Sequence, residues 1–249
     1  MINRVLIIVP CYNEEKNIEI VVNNISNQIS ILKDSHPHIQ IDYILINDCS
    51  KDGTVSLCKR HNYSFLSLPV NLGIGGGVQA GYLYASEREY DIAVQHDGDG
   101  QHDPKYFLDV ITPILSGEYD IVIGSRFITK EGFQSNRIRR LGIMFLSTLI
   151  KICTRTHVLD VTSGYRAVNR KFIEYFACNY AQDYPEPEAI TSAALNGAKI
   201  TEIPVIMHER IHGTSSISPL KSVLYMTKVT LSILLHRISI SGKELNSNG

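Results

Sequence analysis

The sequence predicts an α/β fold: one mostly parallel mixed sheet flanked by helices, followed by an amphipathic C-terminal helix. Three observations predict it. Apolar runs rich in Val and Ile alternate with helical patterns through the first half, in the order β-α-β-α-β-α-β. That order calls for right-handed crossovers and parallel strands. Each run ends in a polar cluster, as strands do when they stop at a ligand crevice. Finally, 249 residues with 44% hydrophobic and 20% charged side chains suit a domain with a sizeable core.

Taken in order, "VLIIVP" (5–10) reads as a buried strand and Glu14 to Lys33 as an amphipathic helix. "IDYILIND" (41–48) is the second strand and "KDGTVSLCKRH" (51–61) a short helix. "YSFLSLP" (63–69) is the third strand, "GIGGGVQAGYLYASERE" (73–89) a helix with a glycine-rich start, and "DIAVQHD" (91–97) the fourth strand. The second half is less regular. "YDIVIGSRF" (119–127) reads as a strand ending at Arg126, and a basic helix follows from about Arg137 to Thr154. "DVTSGYRAVNR" (160–170) and "DYPEPEAI" (183–190) are left without an element, and "ITEIPVIM" (200–207) is a late strand. The expected organisation is a catalytic domain over 1–217, an amphipathic segment over 218–241, and a frayed tail over 242–249.

Bulk properties exclude several classes. The net charge of −1 gives no case for nucleic acid as a partner. Five cysteines without a CxxC read as reduced cytosolic thiols. "MINRVLIIVP" turns polar too soon for a signal peptide, and no uncharged apolar run reaches about 18 residues.

The polar clusters are "PCYNEE", "NDCSKDGT", "NLGIGGG" and "HDGDGQHD", one after each of the first four strands. Singly, each is a plausible capped helix start. Together they should face one crevice. The last one crowds Asp97, Asp99 and Asp103 together, and like charges at that spacing need a compensating cation. Carboxylates at i and i+2, with Gly98 and Gly100 to tighten the backbone, suit Mg²⁺ or Mn²⁺ completed by substrate phosphates. Gln101 offers a further oxygen. A zinc site using His96 and His102, and a purely structural turn, are the alternatives. "GIGGG" has neither the Walker lysine nor a clean GxGxxG, so it reads first as close packing of a helix on the sheet.

Together with "TSGYRA" (162–167), these clusters resemble glycosyltransferase family 2, in its dolichol-phosphate-mannose-synthase-like branch, over roughly residues 3–217. The resemblance implies a nucleotide-sugar-binding glycosyltransferase A-type domain that transfers sugar with inversion and needs Mg²⁺ or Mn²⁺. It implies that Pro10, Tyr12, Asn13 and Glu14 line the nucleotide pocket, that Asp48 contacts base or ribose, and that Gly73 lets backbone approach the nucleotide. It places Asp97 near ribose and sugar, and Asp99 on the metal together with Gln101 and Asp97. For a phosphate acceptor it implies Arg126, with Arg139 or Arg140 and Ser163; the expected catalytic set is Asp97, Asp99, Arg126, Arg166 and Glu188. A solvated surface charge is the plain reading of each arginine. Glu186 competes with Glu188 as a base. Arg210 and His212 in "HERIHGTSSI" (208–217) are expected to touch the diphosphate.

The acceptor follows from charge. A sugar hydroxyl needs a general base; a phosphate is already anionic and needs cations, which arginine supplies as a two-pronged donor. The expected reaction moves a hexose or N-acetylhexosamine from a nucleotide sugar, UDP-linked in preference to GDP-mannose, to polyprenyl (undecaprenyl) phosphate for envelope polysaccharide. Transfer to a glycan hydroxyl is the enzymatic alternative. A nucleotide-sugar-binding module without turnover is the alternative of another class. A nucleotidyltransferase is disfavoured because no early GxGxR loop is present. Leu220, Val223, Leu224, Leu231, Leu234, Leu235 and Ile238 share one helical face, with Lys221 and Lys228 beside it. That face implies peripheral association with the inner side of the cell membrane, a helix packed on the domain, or a homo-oligomer contact. A separate small membrane protein is expected as an anchor.

Overall fold

The structure, a computed structural model, describes residues 2–134, 137–183, 185–209 and 226–238. Its strands are β1 (Asn3–Cys11), β2 (Ile39–Asn47), β3 (Phe65–Ser67), β4 (Ile92–Gln95), β5 (Ile121–Ser125), β6 (Arg166–Asn169) and β7 (Ile200–Pro204). They form one sheet in the order β3-β2-β1-β4-β6-β5-β7. Every pairing is parallel except those of β6, which runs against both β4 and β5. The helices are α1 (Ile18–Ser35), α2 (Thr54–Arg60), α3 (Gly73–Glu87), α4 (Phe107–Leu115), α5 (Arg137–Thr154), α6 (Arg170–Cys178) and α7 (Pro185–Leu195). A further helix, α8, covers 226–238.

β1 shows why the sheet is internal. Its residues from Val5 to Cys11 are all buried. Leu6 and Ile8 join a core with α3, α5, α6, α7 and α8, while Val5, Ile7 and Val9 join a second core with α1 and α4 on the other face. A strand buried on both sides reads as a continuous apolar run, and "VLIIVP" is one. The chain moves from β1 to β2 and β3 on one side and then crosses to β4 on the other. The order therefore reverses between β1 and β4, which opens a crevice at their carboxyl ends. Because β6 is reversed, its first residue, Arg166, pairs with Gln95 at the end of β4. Residues 162–165 are thus delivered to the same edge.

The glycine-rich start of α3 is a packing device. A Cβ at Gly75 would strike the backbone carbonyls of Ala181 and Gln182, and one at Gly81 would strike Ile8. Gly73 differs: its φ of +76° requires glycine, and a Cβ there would meet open space.

Several elements depart from the sequence reading. The third strand shrinks to three residues and the late strand stops at Pro204. α4 and α6 were not anticipated; Pro113 interrupts the helical pattern of the first, and the second follows β6 without a break. "PEPEAI" opens α7, because Pro185 and Pro187 occupy a first turn whose N–H groups need no helical acceptor. In the tail, Val229 and Ile233 are the buried residues of α8, whereas Leu231, Leu234, Leu235 and Ile238 face outward. Arg210, His212, Leu220, Lys221, Val223 and Leu224, expected above at the diphosphate and on the tail helix, lie outside the described residues.

Candidate active site

The crevice is built on the segment after β4. Gln95 is fully buried and donates its amide to Asp97 Oδ1 at 3.1 Å, while its Oε1 lies 3.4 Å from the Tyr180 hydroxyl. Asp97 N–H donates to His102 Nδ1 at 3.0 Å, so the neutral ring carries its proton on Nε2. His102 stacks on Tyr165 at 4.8 Å, and His96 meets both rings edge-on. Burial lowers the pKa of His96 to about 3 and that of His102 to about 4. Both rings are neutral aromatic fillers that set the path of the loop. Asp99 is buried and accepts from Gln101 N–H at 3.1 Å. Gln101 also ties the loop to residues beyond β7: its carbonyl accepts from His208 N–H at 2.9 Å, and its amide donates to His208 O at 3.2 Å.

Gly164 lies against Asp97. A Cβ there would sit 2.8 Å from Asp97 Oδ2 and 2.9 Å from Gln95 Nε2. The absence of a side chain at 164 leaves the Asp97 carboxylate room at the crevice. Among the described residues no group of three or more His, Cys, Asp or Glu forms a closed metal cage. Two hard carboxylates on a tight loop nevertheless fit a Mg²⁺ or Mn²⁺ ion that takes its remaining oxygens from substrate phosphate and water. Asp97 and Asp99 would hold it, with Gln101 Oε1 beside them.

On the β1 and β2 side, Pro10 is a buried strand residue and Tyr12 is exposed. Asn13, at φ 57°, accepts from Lys51 N–H through Oδ1 at 2.8 Å. Glu14 accepts from the Asn17 amide at 2.6 Å. Asp48 is buried, and its two oxygens accept from Leu72 N–H at 2.6 Å and Gly73 N–H at 2.8 Å. It thereby fixes the entry to α3, which places the "NLG" turn beside the first two loops.

The basic side is rearranged relative to the sequence reading. Arg126 is buried and clamped by Asp160, with Nε to Oδ2 at 2.7 Å and Nη2 to Oδ1 at 2.6 Å. Nη2 also donates to Thr162 at 3.1 Å. Burial opposes its charge, but the Asp160 carboxylate outweighs this and raises its pKa. Asp160 and Thr162 thus take the Nε and Nη2 side of the fork, while the charge of Arg126 still reaches Asp97 and Glu186. Ser163 is likewise committed: its hydroxyl donates to Gly124 O at 2.7 Å and accepts from Tyr165 N–H at 3.2 Å. Arg166 is fully buried and donates to Ser163 O and Glu186 O, while its Nε meets no acceptor among the described residues.

Glu188, expected in the catalytic set, accepts from the Ser232 hydroxyl of α8 at 2.7 Å. Glu186, two residues earlier and on another side of α7, is the carboxylate that meets the crevice. Loss of hydration raises its pKa; Arg166 opposes this, Asp97 adds to it, and Arg139 lowers it again. Arg139 is exposed at the start of α5, and Arg140 lies over the Phe127 ring at 5.6 Å. Of the predicted cations, Arg126, Arg139 and Arg166 are the ones whose charge reaches Glu186. Sequence reasoning passed over Gln95 and Asp160. The signal for the first was a lone amide ending an apolar strand; for the second, an acid two residues before "TSG".

Residues 6–176 match Glycosyl transferase family 2. The chain belongs to that family. It is a glycosyltransferase with the A-type fold. A relative from Methanococcus voltae, named UDP-N-acetylglucosamine--dolichyl-phosphate N-acetylglucosaminyltransferase, is 30% identical over 224 residues, covering 81% of this chain and 84% of its own. The undecaprenyl-phosphate mannosyltransferase of Micrococcus luteus is 26% identical over 224 residues, covering 86% of this chain and 88% of its own. Glucosyl-3-phosphoglycerate synthase from Mycobacterium tuberculosis, solved with Mn²⁺, UDP and glucosyl-3-phosphoglycerate, superposes with a TM-score of 0.67 at 22% identity, covering 94% of this chain and 80% of that one.

Proposed function

We propose that this family 2 enzyme transfers a hexose or N-acetylhexosamine from a nucleoside diphosphate sugar to a polyprenyl phosphate, with inversion, at the inner face of the cell membrane. The observation that carries the reading is the juxtaposition at one sheet edge of the Asp97–Asp99 loop with Gly164, Glu186 and the charges of Arg139 and Arg166. The names of the relatives support the acceptor class.

The nucleotide would lie across the loops after β1 and β2, with Tyr12, Asn13 and Glu14 at its edge and the Asp48-held turn beside it. UDP is favoured over GDP. A bound Mg²⁺ or Mn²⁺ supplies charge neutralisation for the leaving diphosphate. An acceptor phosphate oxygen attacks the anomeric carbon from the face opposite the diphosphate. The new C–O bond forms as the old one breaks, and the nucleoside diphosphate leaves with the bonding pair. No proton has to be removed, because the acceptor is already an anion. Arg139 would face that anion.

One observation favours the second reading, transfer to a glycan hydroxyl. The raised pKa of Glu186 suits a general base, which such an acceptor requires.

The test is label transfer into an organic-extractable product. Purified protein is incubated with Mn²⁺ or Mg²⁺, a short-chain polyprenyl phosphate and one of UDP-glucose, UDP-GlcNAc, UDP-galactose or GDP-mannose. Extractable label from one donor, lost with chelator and in Asp99→Ala, is the expected result. Label on a soluble glycan only would overturn the lipid acceptor and promote the second reading.

A further inference from the structure

Between α5 and β6 the chain runs from 155 to 165 without helix or strand, yet it delivers two features of the crevice. Asp160 clamps Arg126, and Gly164 leaves room for the Asp97 carboxylate. A segment outside the ladders must find partners for its own backbone groups. Val158 and Val161 anchor this one in the core on the α3 side of the sheet, and the Ser163 hydroxyl donates to Gly124 O on β5. The N–H groups of Leu159 and Asp160 are held from a third direction.

Their acceptor is Glu202 on β7, the last strand of the sheet. Glu202 Oε2 accepts from Leu159 N–H at 2.7 Å, and Oε1 accepts from Asp160 N–H at 2.8 Å. β7 pairs with β5, where Glu202 lies opposite the buried Ile123. Strand alternation puts its side chain on the same face as Ile123 and Ile200, both of which pack in the core that holds Val158 and Val161. A carboxylate that only kept a sheet edge soluble would point into water. Glu202 is half-buried, and both its oxygens close on successive N–H groups of one turn. Charge-assisted bonds of this kind are stronger than neutral ones. Together they fix the two peptide planes that flank Leu159, and so the direction in which the Asp160 side chain leaves the backbone.

The effect reaches the crevice by two routes. Asp160 accepts from Arg126 N–H, Nε and Nη2, and the charge of Arg126 reaches Asp97 and Glu186. Four residues on, a Cβ at Gly164 would sit 2.8 Å from Asp97 Oδ2. A shift of the 159–160 peptide therefore moves Arg126 and changes the gap at Asp97 together.

We infer that Glu202 is a positioning residue for sugar transfer: from the edge strand it holds the 159–164 turn, and through Asp160 it sets where Arg126 presents its charge. It acts through those two residues and not on donor or acceptor. The inference rests on the glycosyltransferase activity of the family, whichever acceptor is used.

The experiment compares Glu202→Ala and Glu202→Gln with wild type as full chains. Tyr90→Phe is the control, because it removes a 3.0 Å hydrogen bond to Asp42 at the amino end of β4, away from the crevice. The first readout needs no substrate: hydrogen exchange at Arg126 Nε–H, followed by NMR in protein carrying isotope-labelled arginine and assigned by its loss in Arg126→Lys. Exchange should be roughly tenfold faster or more in Glu202→Ala, less so in Glu202→Gln, which keeps one acceptor oxygen, and unchanged in Tyr90→Phe. The second readout is steady-state transfer with the donor and acceptor, lipid or glycan, that the label-transfer assay selects. In Glu202→Ala kcat should fall roughly ten- to hundredfold, with KM for the nucleotide sugar within about twofold of wild type, since the loops after β1 and β2 are untouched. Unchanged Arg126 exchange in both Glu202 variants overturns the proposal. So does a loss of kcat no larger than that of Tyr90→Phe, or a loss that falls on the donor KM alone. If the lipid acceptor fails, the exchange readout still decides the role of Glu202.

Discussion

Asp160→Ala isolates the buried ion pair at the crevice. Asp160 is fully buried and accepts from Arg126 through its backbone N–H at 3.1 Å, its Nε at 2.7 Å and its Nη2 at 2.6 Å. Removing the carboxylate leaves a guanidinium that is 6% exposed without its counter-charge. Breaking one side of such a pair costs about 3–5 kcal/mol. Against a total stability of about 5–15 kcal/mol, that is a large fraction. At about 2–4 °C per kcal/mol for a chain of this size, the melting temperature should fall by roughly 6–20 °C. The assay is urea unfolding followed by far-UV circular dichroism, with the midpoint and slope compared to wild type. Arg126→Met/Asp160→Leu, which removes both charges, should regain most of the loss. An Asp160→Ala protein that unfolds within about 1 kcal/mol of wild type, yet has lost transfer, would refute this account. Arg126 would then be a phosphate ligand whose partner is dispensable.

Gly75→Ala should destabilise more than Gly73→Ala. The first drives a methyl into the 181–182 backbone, whereas the second imposes only a left-handed φ, worth about 1–2 kcal/mol; paired thermal melts check the order. Acid stability should follow the buried histidines. Their folded pKa values, about 3 for His96 and about 4 for His102, lie below the unfolded value near 6.5, so the unfolded chain binds more protons as pH falls. Their contribution is complete above about pH 6.5 and is lost progressively down to about pH 4 and below. In chelator, His96→Phe should flatten the fall in urea midpoint across that window; an unchanged slope would count against neutral, buried rings. Glu186→Gln separates the two acceptors: the transfer rate falls by roughly a hundredfold or more if a hydroxyl is the acceptor and Glu186 its base, and stays close to wild type with a phosphate acceptor; Glu188→Gln should lower stability by about 1 kcal/mol through the lost Ser232 bond.

The parallel half of the fold was legible because its strands are buried on both faces and its polar clusters fall at strand ends. The loop from Asp97 to Asp103 could be placed at the crevice for the same reason, since it follows the end of β4. What could not be read depends on tertiary pairing. The Asp160 clamp on Arg126 was not legible because the two are thirty-four residues apart, and only the β5–β6 pairing brings them together. Glu186 and Glu188 differ by two positions in sequence, and only the setting of α7 between the crevice and α8 separates their roles. β6 escaped notice because its four residues carry an arginine and an asparagine, and no apolar run marks it. In the tail the apolar stripe was visible, but Val229 and Ile233, which anchor α8, were not distinguished from it.

The contact of Gly164 with Asp97 constrains how this enzyme can be recombined with its relatives. A chimera joined anywhere between the Asp97 loop and the "TSG" turn takes its two sides of the crevice from different parents. If the second parent carries any side chain where Gly164 stands, its Cβ falls on the Asp97 carboxylate, and the hybrid displaces that group without altering a single acid. Crossovers placed after β6 keep both residues from one source. For donor-specificity swaps, the safe unit of exchange therefore runs through residue 169, not to the end of the aspartate loop.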